Sequence, residues 1–325
     1  MSLGIRIILN FVNQSLNMSI TPRHILLLQS LKGYGNVAVR TVAYEIEQTG
    51  VESDKELYAL LSRLNTIKKL KADVPSWSDF ADASSLAENL LEKSLNHGIQ
   101  MLTCYDEAFP QMLLSAVSEK GKSDVPLMIH YKGNLDIVKR PSLAVIGTRE
   151  PNDAGVQAGK FFASEFAAQG VNIVSGLALG CDSAGHVGAL SVNGVTTAIL
   201  AGGLDKIYPK ENTELAQEII HKGGLLISEN PIGTATNKYN LVARDRLQAA
   251  LADATLVVQT GVKGGTMHAA KATLVSGKTL MVVDYKDSSA EVVKGNLLLK
   301  DMGAIGLSSQ GWKDNQRFYL DKLSR

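Results

Sequence analysis

From Ser142 onward, short apolar runs rich in β-branched residues alternate with stretches whose apolar residues recur every three or four positions. Runs of the first kind fit strands buried on both faces and those of the second fit amphipathic helices, so their alternation predicts βα units around a mostly parallel sheet. The expected strands cover 143–146, 171–174, 196–200, 225–227, 255–258 and 279–283, and the expected helices 155–168, 183–192, 213–221, 244–251, 267–275 and 292–302. Six such strands make a Rossmann-like sheet, of the α/β class. Upstream the pattern changes. Apolar clusters at 25–28, 37–39 and 57–61 carry helical spacing with few strand signals, which predicts a small helical domain over 21–95. The organisation read from the pattern is an extension over 1–20, that helical domain, a Rossmann-like domain over 96–306 and a tail over 307–325.

Glycine-bearing turns fall where expected strands give way to helices. Val145-Ile146-Gly147-Thr148-Arg149 is the first, and Val174-Ser175-Gly176-Leu177-Ala178-Leu179-Gly180-Cys181-Asp182 the second. Open α/β sheets bind ligands beyond the carboxyl ends of their strands, so Gly147, Ser175, Ala201, Gly202, Gly203 and Thr260 are expected around one crevice. Glycines let backbone approach an anion, and helix N-termini offer free N–H groups. Arg149 adds a permanent charge, so the expected ligand bears phosphate. In the helical domain, Leu31-Lys32-Gly33-Tyr34-Gly35-Asn36-Val37-Ala38 has the form of a helix-hairpin-helix turn and equally that of a plain interhelical turn.

Composition narrows the function classes. The chain has 325 residues, 45% hydrophobic, and a formal net charge of +1, so a polyanion must be met by a local patch rather than by the whole surface. Two cysteines, Cys104 and Cys181, suggest neither a disulfide framework nor a zinc site, which fits a reducing, cytoplasmic setting. The apolar stretch at 5–12 is too short to span a membrane, no export signal is read, and Met18 is a candidate internal start. Ala272-Thr273-Leu274-Val275-Ser276-Gly277-Lys278-Thr279 imitates a P-loop, but it is expected to end a helix and enter a strand, the reverse of what a P-loop does. Gly147-Thr148-Arg149-Glu150-Pro151 lacks the dinucleotide fingerprint, so no NAD or FAD is expected. Asp182 is expected to cap its helix, His186 to bond Asp182 one turn away, and Cys181 to pack as a small hydrophobe. No metal or catalytic residue is nominated.

Gly261-Val262-Lys263-Gly264-Gly265-Thr266-Met267-His268 resembles the Gly-Gly-Thr turn of lysine-decarboxylase-like (LOG) phosphoribohydrolases but lacks the glutamate that follows it there. The wider resemblance, from about Tyr105 to Ala304, is to the DNA-processing protein A (DprA, or Smf) family. It is carried by Asp106-Glu107-Ala108-Phe109-Pro110-Gln111-Met112-Leu113, by the two glycine turns with His186, by Gly202-Gly203-Leu204-Asp205-Lys206-Ile207-Tyr208-Pro209-Lys210-Glu211-Asn212, and by Gly295-Asn296 with Gly303-Ala304. That resemblance implies a non-catalytic protein that binds and protects single-stranded DNA, loads the RecA recombinase in natural transformation, and forms a homodimer without a cofactor. Carried over by position, the DNA- or phosphate-binding residues are Gly147, Thr148, Arg149, Ser175, Gly176, Gly202, Gly203, Lys210, Asn240, Arg244, Arg246, Gly265 and Thr266. Tyr208 and Tyr239 are candidates to stack on bases or simply to pack.

Two departures stand out. Asn240-Leu241-Val242-Ala243-Arg244-Asp245-Arg246 carries Asp245 where the family has asparagine, a carboxylate that can pair with either arginine. The thirteen residues after Trp312 leave no room for the winged-helix domain of many members. A sensor of a free nucleotide or second messenger therefore stays open, as does a nucleotide phosphoribohydrolase.

Overall fold

The computed structural model describes residues 19–287 and 289–323. The extension expected over 1–20 lies, apart from its last two residues, outside the described residues. The chain divides into two compact units, one ending at Lys93 and the other beginning at Ser94.

The first unit is helical: α1 (Pro22–Ser30), α2 (Asn36–Thr49), α3 (Asp54–Thr66) and the start of α4 (Trp77–Asn96). Proline suits the first position of α1, and a reciprocal capping box of Thr21 and His24 satisfies two backbone amides there. Ser53 caps α3 by accepting from the Glu56 amide. Arg23 reaches both carboxylate oxygens of Asp54, at 2.7 and 2.9 Å. Between α1 and α2 the turn runs through Gly33, whose φ of +85° favours glycine. The apolar positions at helical spacing, among them Ile25, Leu28, Val42, Ile46, Leu57 and Leu61, form the buried interior.

The second unit is built on a nine-stranded sheet. Its strands are β1 (Gln100–Thr103), β2 (Met128–Gly133), β3 (Ser142–Ile146), β4 (Asn172–Ser175), β5 (Thr196–Leu200), β6 (Leu225–Ser228), β7 (Ala254–Val257), β8 (Thr279–Val283) and β9 (Ile305–Leu307), in the spatial order β1-β2-β6-β5-β4-β3-β7-β8-β9. From β6 to β9 all pairings are parallel, and β1 and β2 add an antiparallel edge. The helices are α5 (Asp153–Ala167), α6 (Cys181–Ser191), α7 (Thr213–His221), α8 (Lys238–Leu251), α9 (Gly265–Val275), α10 (Lys294–Asp301) and α11 (Trp312–Leu320). Both faces of the sheet are covered, as the unbroken apolar runs require. On β3, Leu143 and Val145 join one core with Phe162 and Phe166, while Ala144 and Ile146 join another with Leu247 and Ala270. Among the described residues no helix is long and apolar enough to cross a membrane.

The six expected strands are present as β3 to β8. Three short strands, β1, β2 and β9, were not expected, because three to six residues at or next to a sheet edge leave little periodic signal. Helix α8 begins six residues earlier than expected, because Asn237 accepts from the Asn240 amide and starts it there. Where a tail was expected, α11 seats Trp312 in the core and its indole N–H donates to Glu165 at 2.7 Å.

Candidate functional site

The strand order reverses direction of travel at β3, whose neighbours β4 and β7 lead to opposite halves of the sheet. That switch point, at the carboxyl ends of β3 and β7, is where a doubly wound sheet opens a crevice. A cavity of about 420 Å³ lies there. Its wall is formed by Gly147, Thr148 and Arg149 after β3, by Thr260, Gly261, Lys263 and Gly264 after β7, by Gly265 and Thr266 at the start of α9, and by Lys238, Leu241, Arg244, Asp245 and Gln248 of α8. A smaller cavity beside it is lined by Arg149, Gly176, Tyr208, Pro209 and Arg244.

The two glycine turns pack directly against each other. A Cβ on Gly147 would stand 2.5 Å from Cys181 Sγ and 2.8 Å from the Gln259 carbonyl oxygen, so the close approach requires glycine. Thr148 donates its amide to Gln259 O at 2.7 Å and accepts from the Cys181 amide at 3.1 Å. Asp182 accepts from the amides of Gly176 and Ala178 and so fixes the second turn rather than only capping its helix. Gly264, with φ of +123°, is the N-cap of helix α9, and no side chain caps its first amides, which leaves donors facing the cavity.

Arg244 is the buried centre of the site. It is 6% exposed, and its Nε and Nη1 make no hydrogen bond. Asp182 Oδ2 and Asp245 Oδ1 lie 3.6 Å from these atoms, close enough for Coulomb attraction and too far for a hydrogen bond. Gly176 makes room for the guanidinium, since a Cβ there would fall 1.0 Å from Nη1. Burial pushes the Asp245 carboxyl up to about 6, against the opposing pull of Arg244. Asp182, still more buried, is also raised. Gln248 donates to Asp245 Oδ1 at 3.2 Å, while its own Oε1 is buried without a partner. Above this floor Arg149, Lys238 and Lys263 are exposed.

The nominated residues separate into two groups. Gly147, Thr148, Arg149, Arg244, Gly265 and Thr266 meet at the main cavity, and Gly176 at the smaller one. Ser175 does not reach either: it is fully buried and donates to Val145 O at 2.6 Å. Gly202 and Gly203 are buried against the segment 231–236, where a Cβ on either would meet backbone atoms. Arg246 is an internal fork, with Nη2 at 2.8 Å from Glu229 and Nε at 2.8 Å from Asp124. Asp245 thus pairs with Arg244 and not with Arg246. Lys210 is exposed in the short 3₁₀ turn after Pro209, and Asn240 sits in the first turn of α8; neither lines either of these two cavities. Tyr208 lines the smaller cavity and Tyr239 stands exposed on α8. His186 bonds Thr196 at 2.7 Å rather than Asp182. Lys278 of the false P-loop donates to the carbonyls of Ala249, Ala250 and Ala252, closing the end of α8.

Sequence reasoning missed Lys238, Gln248 and Lys263. The second stands four residues after Arg244 on the same helical face, a spacing that becomes informative once α8 is known to begin at Lys238.

The parallel sheet with an anion-suited crevice at its switch point defines a Rossmann-like α/β protein. The chain belongs to the DNA recombination-mediator protein A family, whose model matches residues 100–311. It is 33% identical to the Smf protein of Synechocystis sp. over 72% of this chain and 63% of that one. It is 34% identical to the DNA processing protein DprA of Streptococcus pneumoniae over 49% of this chain and 56% of that one. The chain therefore spans between about half and just under two thirds of these relatives' lengths. Among solved structures, DNA processing protein A of Helicobacter pylori, described for its single-stranded DNA binding mode, superposes with TM-score 0.57 at 29% identity, covering 69% of this chain and 95% of that one. The fold also matches the crystal structure of DprA from S. pneumoniae, with TM-score 0.73 at 24% identity over 91% of this chain and 98% of that one.

Proposed function

We propose that this chain binds single-stranded DNA at the switch-point cavity and acts in DNA processing during natural transformation, protecting the incoming strand and passing it to a RecA recombinase. It does so as a cytoplasmic homodimer and without bond-breaking chemistry. The observation that carries the reading is the convergence of the uncapped α9 N-terminus, the buried Arg244 and the exposed Arg149, Lys238 and Lys263 on one cavity. Such an arrangement recognises phosphate without reading bases. Both floor carboxylates are engaged by Arg244, Gln248 or backbone amides, which favours a binding surface over an acid–base pair. Membership of the family and the DNA-binding relative from H. pylori support the strand as ligand.

Fluorescence anisotropy of labelled oligo-dT across a salt series tests this. Affinity should fall with salt, with a log–log slope of about −0.7 per phosphate contact, and Arg149→Ala should flatten the slope by roughly that amount while weakening all sequences alike. Absence of binding at low salt would refute the reading. The recombinase step is checked separately, by whether the protein speeds RecA assembly on DNA coated with single-strand-binding protein; no acceleration removes that part.

A further inference from the structure

The cavity is cationic by a narrow margin. Arg149, Lys238, Arg244 and Lys263 bring four positive charges to its lining, and Glu150, Asp182 and Asp245 bring three carboxylates. Asp245 holds the decisive position among them. Its Oδ2 lies 2.8 Å from where a Cβ on Gly265 would stand, so the carboxylate stands beside the first turn of α9, next to the uncapped amides that an incoming phosphate oxygen would seek. It is held there by Gln248 and by the charge of Arg244, and its side chain is only 14% exposed. A fixed negative charge at that point repels a second negative charge on the ligand with little solvent to screen it.

The geometry points to Asp245 as a specificity determinant that admits the monoanionic phosphodiester of a continuous strand and disfavours a dianionic terminal phosphate, and with it free nucleotides. The inference rests on the reading of the cavity as a phosphate site and states which phosphate it takes. An internal diester carries one charge, whereas a terminal monophosphate carries close to two above pH 7, its second pKa being about 6, so the monophosphate sets a further charge against the fixed Asp245 carboxylate. One further charge roughly 10 Å from the carboxylate, at an effective dielectric constant near 20, weakens binding on the order of tenfold.

Titration calorimetry at pH 8 with the full chain separates the outcomes, using thymidylyl-thymidine (one diester), thymidine 5′-monophosphate and inorganic phosphate. The wild type should bind the dinucleoside diester about tenfold more tightly than the mononucleotide, and Asp245→Asn should bring the two within about threefold, the mononucleotide gaining more. Equal or tighter binding of the mononucleotide by the wild type, or an unchanged ratio in D245N, overturns the role of Asp245 and leaves the phosphate site standing. Failure of all three ligands to bind overturns the phosphate site itself. Oligo-dT with and without a 5′-phosphate, titrated into the wild type, gives a readout independent of any variant's folding: a 5′-phosphate that improves affinity contradicts the assignment.

Discussion

Replacing Gly147 by alanine should unseat the first glycine turn. The added methyl would lie 2.5 Å from Cys181 Sγ, 2.7 Å from Cys181 Cβ and 2.8 Å from the Gln259 carbonyl oxygen, and Cys181 itself is fully buried. Overpacking of this kind costs about 1–3 kcal/mol. The loop can escape only by lengthening the Thr148–Gln259 and Cys181–Thr148 backbone bonds, each worth roughly 1 kcal/mol, so the total should be about 3–5 kcal/mol. Urea unfolding followed by tryptophan fluorescence in a Trp77→Phe background isolates Trp312, which lies in the core of the second unit. Oligo-dT affinity should fall in parallel, because Arg149 rides on the same turn. Gly261→Ala, in the same unit at a site without positive φ where a Cβ would meet nothing closer than 3.9 Å, serves as the stability control and should change stability by less than about 0.5 kcal/mol. A G147A protein as stable as the control and binding like the wild type would refute the packing argument.

Other outcomes follow from the same geometry. Arg246→Ala should destabilise the second unit by about 1–3 kcal/mol, since Glu229 loses two charge-assisted hydrogen bonds while the more exposed Asp124 is re-solvated, yet leave the affinity of the remaining folded protein unchanged; a loss confined to affinity would place Arg246 in the site. His130 is buried without a hydrogen-bond partner, and burial lowers it to about 4. Because its folded value lies below the unfolded value of about 6.5, stability is undiminished above pH 6.5 and is lost as the pH falls toward 4, at up to 1.4 kcal/mol per pH unit for this group. His130→Leu should therefore flatten the acid limb of a stability–pH curve by about one proton, and an unchanged limb contradicts the assignment. Asp245 works in the opposite sense: with its folded value raised to about 6, its neutral form favours folding at acid pH, and that contribution is lost as the pH rises through 6. D245N should thus gain stability relative to the wild type at pH 8 and little at pH 4, read by urea titration at both.

The parts of this architecture that rest on periodicity were legible in the sequence. Six buried strands announce themselves as apolar runs, and the glycine turns as breaks between strand and helix, because close backbone approach tolerates no side chain. The division of labour between neighbouring polar residues was not legible. Arg244 and Arg246 lie two positions apart on α8 and so point to different surroundings, one beside Asp182 and the cavity, the other toward Glu229 and Asp124. Ser175 lies at a strand end as expected, but the pleat turns its hydroxyl to Val145 O and away from any ligand. Gly202 and Gly203 reflect contacts with the segment that follows β6, which a local motif cannot reveal.

Binding of a strand at the switch point is tested most directly by photocrosslinking 4-thiothymidine oligonucleotides to the protein and mapping the adducts by mass spectrometry. Adducts are expected on the turn after β3, the loop from Thr260 to Thr266 and the first turns of α8, all suppressed in Arg149→Ala. Adducts confined to surfaces away from that cavity, or unaffected by the substitution, would contradict it.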